Sequence, residues 1–225
     1  LAICGRESAF TGRVVGQLAE IKLAQGNTGD AEKLVDAQIR LYQTIGLSSN
    51  SRLRGEAQAL KGDILTARFR FAQAAEIYAL SEQTLSANRY YYDKVIARNP
   101  NRLLALIRTG EREAAAQTVP AVYQATRAFY GADSYRTAEA QALQAMLAAS
   151  QGKDLSAFSD FSKAVPVLFN DAQAAGLDYL TRRRRTIIAH AYIDLLVDLH
   201  AGRRDRHLGV NGLDLAFHMI QALQR

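Results

Sequence analysis

The chain has 225 residues, 48% hydrophobic and 22% charged, which is ordinary for a folded protein and ample for a continuous core. Its formal net charge is +6, from 28 Lys and Arg against 22 Asp and Glu, too slight a balance to imply nucleic acid. The single cysteine, Cys4, excludes an intrachain disulfide and reads as structural or incidental, and the absence of any run of about 20 apolar residues excludes a transmembrane helix.

Good helix formers dominate, and strand-like alternation is missing, so an all-α fold is expected. The stretch Thr137–Leu168 is the clearest. It predicts two helices broken at Gln151-Gly152-Lys153-Asp154. Ala138, Ala142, Ala145, Met146 and Ala149 form one narrow apolar face, and Ala157, Phe161, Ala164, Val165 and Leu168 form the facing one. Echoes of Ala157, Phe161 and Ala164 occur at Ala31, Val35 and Gln38, at Ala74, Tyr78 and Ser81, at Ala115, Val119 and Val122, and at Ala216, Ile220 and Leu223. The leading alanines are separated by 43, 41, 42 and 59 residues, so the last step is one repeat plus an insertion.

In chain order the expected helices are 7–25 and 30–45, 51–67 and 71–87, 93–109 and 112–129, 135–150 and 155–169, then 178–200 and 212–225. Glycine turns at Gly26, Gly110 and Gly152 mark three of the hairpins, while Arg68-Phe69-Arg70 takes that place in the second. Pro120 and Pro166 fall inside predicted helices and should bend them. Pro100, after Asn99, predicts that the fifth helix starts late or is broken there, with Arg89–Arg98 as a separate turn or helix. Tyr90-Tyr91-Tyr92 precedes it; three neighbours point in different directions, and core plus surface burial is the expected fate.

This pattern resembles tetratricopeptide repeats (TPR) of the roughly 42-residue, kinesin-light-chain-like type. The resemblance rests on Leu18–Gly26 with Ala31-Glu32-Lys33-Leu34, and on Ala157, Phe161 and Ala164. No Trp opens the first helices, and the fifth unit carries extra residues. Two further segments, Gly212–Arg225 and Ala164–Leu168, are similar to the repeat arrays that precede the caspase-like domain of bacterial CHAT proteins. That resemblance implies a piece of a longer chain, consistent with a start at Leu1, with a catalytic domain beyond Arg225 and none of its catalytic residues within these 225.

Candidates for chemistry are few. Arg182-Arg183-Arg184-Arg185 spans about 400° of a helix, so two at most can line one surface. Its alternatives are a carboxylate or phosphate clamp and a solvated helix start with internal ion pairs. His190 and Asp194 share a helix face, but zinc needs more ligands, and no HExxH, Cys pair, GxGxxG, P-loop or nucleophile elbow occurs. No cofactor, no metal and no catalysis are expected. The polar segment Ala201–Gly212 is read either as a disordered excursion or as a contact with a downstream domain.

The expected fold is therefore a right-handed α-solenoid of about five TPR-like hairpins, a single domain over residues 1–225. By register, Arg13, Glu20, Glu56, Asp63 and Glu139 project into a groove lined by the first helices, and Arg182 and Arg185 join them as candidate partner-binding residues. Mixed charges suit an extended or helical peptide. The expected function is a non-enzymatic protein-interaction module, the recognition arm of a CHAT-type protease; the alternatives are the ligand-sensing array of a transcription activator and an oligomerisation scaffold. A protein or peptide partner is expected, and nucleic acid is not.

Overall fold

Small residues on one helix and large ones on the next build three of the hairpins. A computed structural model describes residues 7–170 and 176–224; Cys4 and Arg225 lie outside the described residues. By their internal contacts the residues form two compact units, Leu1–Thr109 and Gly110–Arg225. The described residues contain helices and no strand.

In the first unit, α1 (Ala9–Ala24) pairs with α2 (Thr28–Thr44), and α3 (Arg52–Ala67) pairs with α4 (Phe71–Leu85). The glycines of the first helices are sockets. A Cβ on Gly12 would sit 2.2 Å from the Tyr42 ring, and one on Gly62 would sit 2.6 Å from the Tyr78 ring. A Cβ on Gly55 would lie 2.5 Å from the Leu85 side chain. Tyr42, Tyr78 and Leu85 are consequently buried, each removing a large apolar body from water. Gly26 closes α1 at φ 78°, and Asn27 caps α2 by accepting from the Asp30 amide. After α3 the same left-handed position is held by Phe69, at φ 59°, without the relief a glycine gives.

A short helix, α5 (Arg89–Tyr92), runs into a π-helical turn at Asp93–Ala97 that buries Ile96. Pro100 then opens α6 (Pro100–Thr109), where its missing N–H costs nothing. The Asn99 carboxamide caps the helix, accepting from the amides of Asn101 (2.9 Å) and Arg102 (3.2 Å). Of the two expected outcomes at Pro100, a late start and a break, the structure has the late start. The tyrosine run divides: Tyr90 is exposed, Tyr91 lies under Arg52, and Tyr92 donates to Glu82 (2.8 Å).

The second unit holds α7 (Arg112–Tyr130), α8 (Tyr135–Ser150), α9 (Asp154–Leu168), α10 (Tyr179–Ala201) and α11 (Gly212–Leu223). Pro120 and Pro166 lie inside α7 and α9. The α8–α9 hairpin is the alanine-and-phenylalanine packing read in the sequence: Ala142, Ala145, Ala157, Phe161 and Ala164 are all fully buried. Ala31, Val35, Gln38, Ala74, Tyr78, Ser81, Ala115, Val119 and Val122 are buried as well. The fifth copy differs. Ala216 and Met219 are buried, while Ile220 is 42% exposed, so α11 is turned relative to the expected register.

Between α10 and α11, the segment read either as a disordered excursion or as a contact with a downstream domain is folded. It forms a short 3-10 turn, Asp205–Leu208, around the buried Asp205 carboxylate. That carboxylate contacts His200 Nδ1 (2.7 Å) and accepts from the amides of Gly212 (3.2 Å) and Arg206 (2.9 Å). Among the described residues no helix is long and apolar enough to cross a membrane.

Candidate interaction groove

The helical period decides which charges meet. On α1, Arg13, Gln17 and Glu20 lie on one face; on α3, Arg52, Glu56 and Asp63 do. The two faces meet in the first unit as two joined recesses. One, of about 180 Å³, is bounded by Arg13, Gly16, Gln17, Glu20, Gln38, Tyr42, Arg52, Glu56 and Leu60, among others. The other, of about 340 Å³, is bounded by Glu20, Glu56, Ala59, Leu60, Asp63, Val95 and Asn99. Glu20, Glu56 and Leu60 border both, so the recesses form one groove. Four of the residues singled out by register, Arg13, Glu20, Glu56 and Asp63, therefore come together here.

Their surroundings differ. Arg52 Nε donates to Glu56 Oε1 (2.8 Å), its Nη1 donates to Tyr91 Oη (2.8 Å), and its guanidinium lies over the Tyr91 ring. Asp63 Oδ1 accepts from Tyr78 Oη (2.6 Å), Asn101 Nδ2 (2.8 Å) and Asn99 Nδ2 (3.1 Å), which fixes the far end of the groove. Arg13 and Glu20 have no ion-pair partner among the described residues. Partial burial, reinforced by the Glu56 and Asp63 charges, raises the Glu20 carboxyl above the usual carboxylate range. At the groove floor Gln38 is buried; its Nε2 donates to Tyr42 Oη (3.2 Å), and its Oε1 has no partner.

The remaining three residues lie in the second unit. Glu139, placed by register on the groove face, is buried in the second unit against Arg184, whose Nε donates to Glu139 Oε1 (2.8 Å). Arg184 Nη2 also donates to Thr181 Oγ1 (3.0 Å). Register gives the helix face of Glu139, but an arginine 45 residues downstream covers that face. The neighbouring Tyr135 hydroxyl, buried and beside the Glu139 charge, is pushed well above the ordinary tyrosine value. The arginine run splits as 100° spacing requires. Arg182 is exposed and donates to the Leu177 carbonyl (2.9 Å), Arg184 is buried, and the Arg185 guanidinium sits 5.0 Å from the Phe169 ring centroid. Sequence reasoning missed Gln38 as a groove residue, since it was read as one position of the weakest repeat copy, and it missed Arg184 as the partner of Glu139.

Among the described residues no three His, Cys, Asp or Glu side chains come together as a metal site; His190 and Asp194 are both exposed. No protein-family model matches the chain, and no curated protein matches it significantly. Among solved structures the chain is similar to a Podospora anserina protein described as a kinesin light chain with nearly identical TPR-like repeats. The TM-score is 0.55 at 15% sequence identity, over 97% of this chain and 95% of that one. At that identity the likeness speaks for the fold: this chain is an all-α solenoid of TPR-like helical hairpins.

Proposed function

We propose that this chain is a non-catalytic interaction module that binds an extended segment of a protein partner in the groove between α1 and α3. The observation that carries it is the concentration of Arg13, Glu20, Glu56 and Asp63 along one open recess, while the glycine sockets behind them are filled by α2 and α4. A concave polar surface on a rigid helical scaffold offers shape and charge to a chain, and none of its groups is placed as a nucleophile beside a base. Arg182 and Arg185 remain secondary candidates for contact with a partner, and residues 1–225 are taken as one functional array.

The test is selection from a displayed library of random peptides on the immobilised chain and on Gln17→Trp, which fills the groove from an exposed position. Peptides should be enriched on the parent chain and lost on the variant. No enrichment over an unrelated helical protein, or enrichment indifferent to Gln17→Trp, contradicts the function.

We further propose that the module serves as the recognition arm of a CHAT-type, caspase-like protease. The resemblance of Gly212–Arg225 to the helix preceding such domains supports this, as do the exposed Leu213, Phe217 and Ile220 of α11, which a following domain could cover. The parent reading frame decides: a downstream α/β domain with paired Cys and His supports the protease arm, and a DNA-binding domain moves the module to a transcription activator.

A further inference from the structure

We infer that the outward face of α1 is a self-association surface, on which a second copy of this chain lays its own α1 antiparallel. Helix α1 is apolar on two opposite faces. Gly12, Gly16, Ala19 and Leu23 are buried toward the rest of the unit. At about 100° per residue, Phe10, Val14 and Ile21 stand on the far side, with Leu18 beside them. Phe10 is 59% exposed, Val14 48%, Leu18 41% and Ile21 53%. Helix α2 provides the contrast within the same hairpin: its exposed residues are Lys33, Arg40, Gln43 and Thr44, all polar. A surface helix normally turns charge to solvent, and a helix apolar all round is normally covered. Four large apolar side chains on adjoining turns form one strip, not scattered singles.

The charges beside the strip say what covers it. Phe10, Val14, Gln17 and Ile21 follow the four-three-four spacing of a heptad seam, and Arg13 and Glu20 lie on one flank, one step before Val14 and Ile21. Arg13 and Glu20 are exposed and have no ion-pair partner among the described residues. They are opposite in sign and two helical turns apart, about 10 Å. When two such helices pack antiparallel, like flanks face each other. A two-fold axis near the middle of α1 then brings Arg13 to the partner's Glu20, and Glu20 to the partner's Arg13. The same axis brings Phe10 to the partner's Ile21, and Val14 to the partner's Leu18. The face is complementary to itself, as an isologous interface must be. Parallel pairing would instead set Arg13 against the partner's Arg13, and like charges repel.

Arg13 and Glu20 also line the groove, so a second copy and a groove-bound peptide draw on the same two charges. One helix pair lies at the low end of specific interfaces. A dissociation constant of about 10–100 µM is expected, which leaves the chain monomeric at low micromolar concentration.

Sedimentation equilibrium of the full chain, from low micromolar to about 300 µM, reads the association, with the fold of every variant checked by circular dichroism and thermal unfolding at the low end. The parent should form a dimer. Val14→Glu, at an exposed position, should stay monomeric to the top of the range. Arg13→Glu and Glu20→Arg should each weaken dimerisation about tenfold, because each sets like charges together. Mixing those two variants should restore it, since one then carries two acids on the flank and the other two bases. A parent that is monomeric throughout overturns the proposal. A dimer indifferent to Val14→Glu overturns the assignment to α1. A dimer that Val14→Glu abolishes, but that mixing the two charge variants fails to restore, overturns the antiparallel register. Association that runs beyond the dimer and is abolished by Phe217→Glu sets α1 against the exposed face of α11 and overturns the symmetric pairing.

Discussion

Carboxylates on first helices meet opposite fates in the two units. In the first, Glu20 stands in an open groove with two other acids and no cation of its own among the described residues. In the second, Glu139 is sealed by Arg184, and both side chains are 9% exposed. An acid on a first helix thus stands open in one unit and is sealed into the packing of the other. The sealed one is the acid to which a later helix delivers an arginine. Repeat arrays can bury a charge only in this paired form, and an unpaired acid must stay near water.

The comparison can be broken most forcefully at Arg184. Arg184→Met leaves the Glu139 carboxylate buried and unpaired, and denaturant unfolding should show a loss of about 3–5 kcal/mol. Adding Glu139→Leu should recover much of it, since the buried charge is then gone; no recovery would mean that Arg184 acts through packing alone. Next in size are the sockets. Gly12→Ala places a methyl 2.2 Å from the Tyr42 ring, and Gly62→Ala places one 2.6 Å from the Tyr78 ring. Each should cost about 1–3 kcal/mol by overpacking, and Gly12→Ala should also disturb the groove floor through Tyr42 and Gln38.

Much of this was legible in the sequence, for reasons that particular residues make plain. Alanines at helical spacing against Phe161 could only be a close helix pair. Asn99-Pro100 could only interrupt or start a helix. The reading of Ala201–Gly212 as a disordered excursion failed because the segment's polarity hid one buried acceptor: Asp205 gathers His200, Arg206 and Gly212 and closes the segment. Ile220 was misplaced because spacing alone does not tell i+3 from i+4 when both Met219 and Ile220 are apolar. Glu139 was misplaced because a repeat position fixes a face, while occupancy of that face depends on Arg184, a residue remote in sequence.

Asp205 gives a smaller, pH-dependent effect. The His200 contact, aided by the Gly212 and Arg206 amides, holds its carboxyl below the usual range. Its stabilisation is therefore present above the unfolded carboxylate value of about 3.9 and is lost as pH falls through the lower folded value. Asp205→Asn should unfold earlier than the parent at pH 7, and the gap between their melting temperatures should close in strongly acidic solution. Glu20 has the opposite sign and the smallest effect. Its raised folded value means that its contribution is favourable below the unfolded carboxylate range and fades as pH rises through the folded value. Glu20→Gln should match or slightly exceed the parent in melting temperature at pH 7, with the difference vanishing in acid. Destabilisation at pH 7 would mean that Glu20 has a structural role.

The most direct measurement is amide hydrogen exchange of the whole chain with and without a peptide enriched from the displayed library. The account predicts slowed exchange confined to α1, α3 and the turn around Val95–Asn99, with α8 and α10 around Glu139 and Arg184 unchanged. Protection centred on the second unit, or none anywhere at saturating peptide, would contradict it.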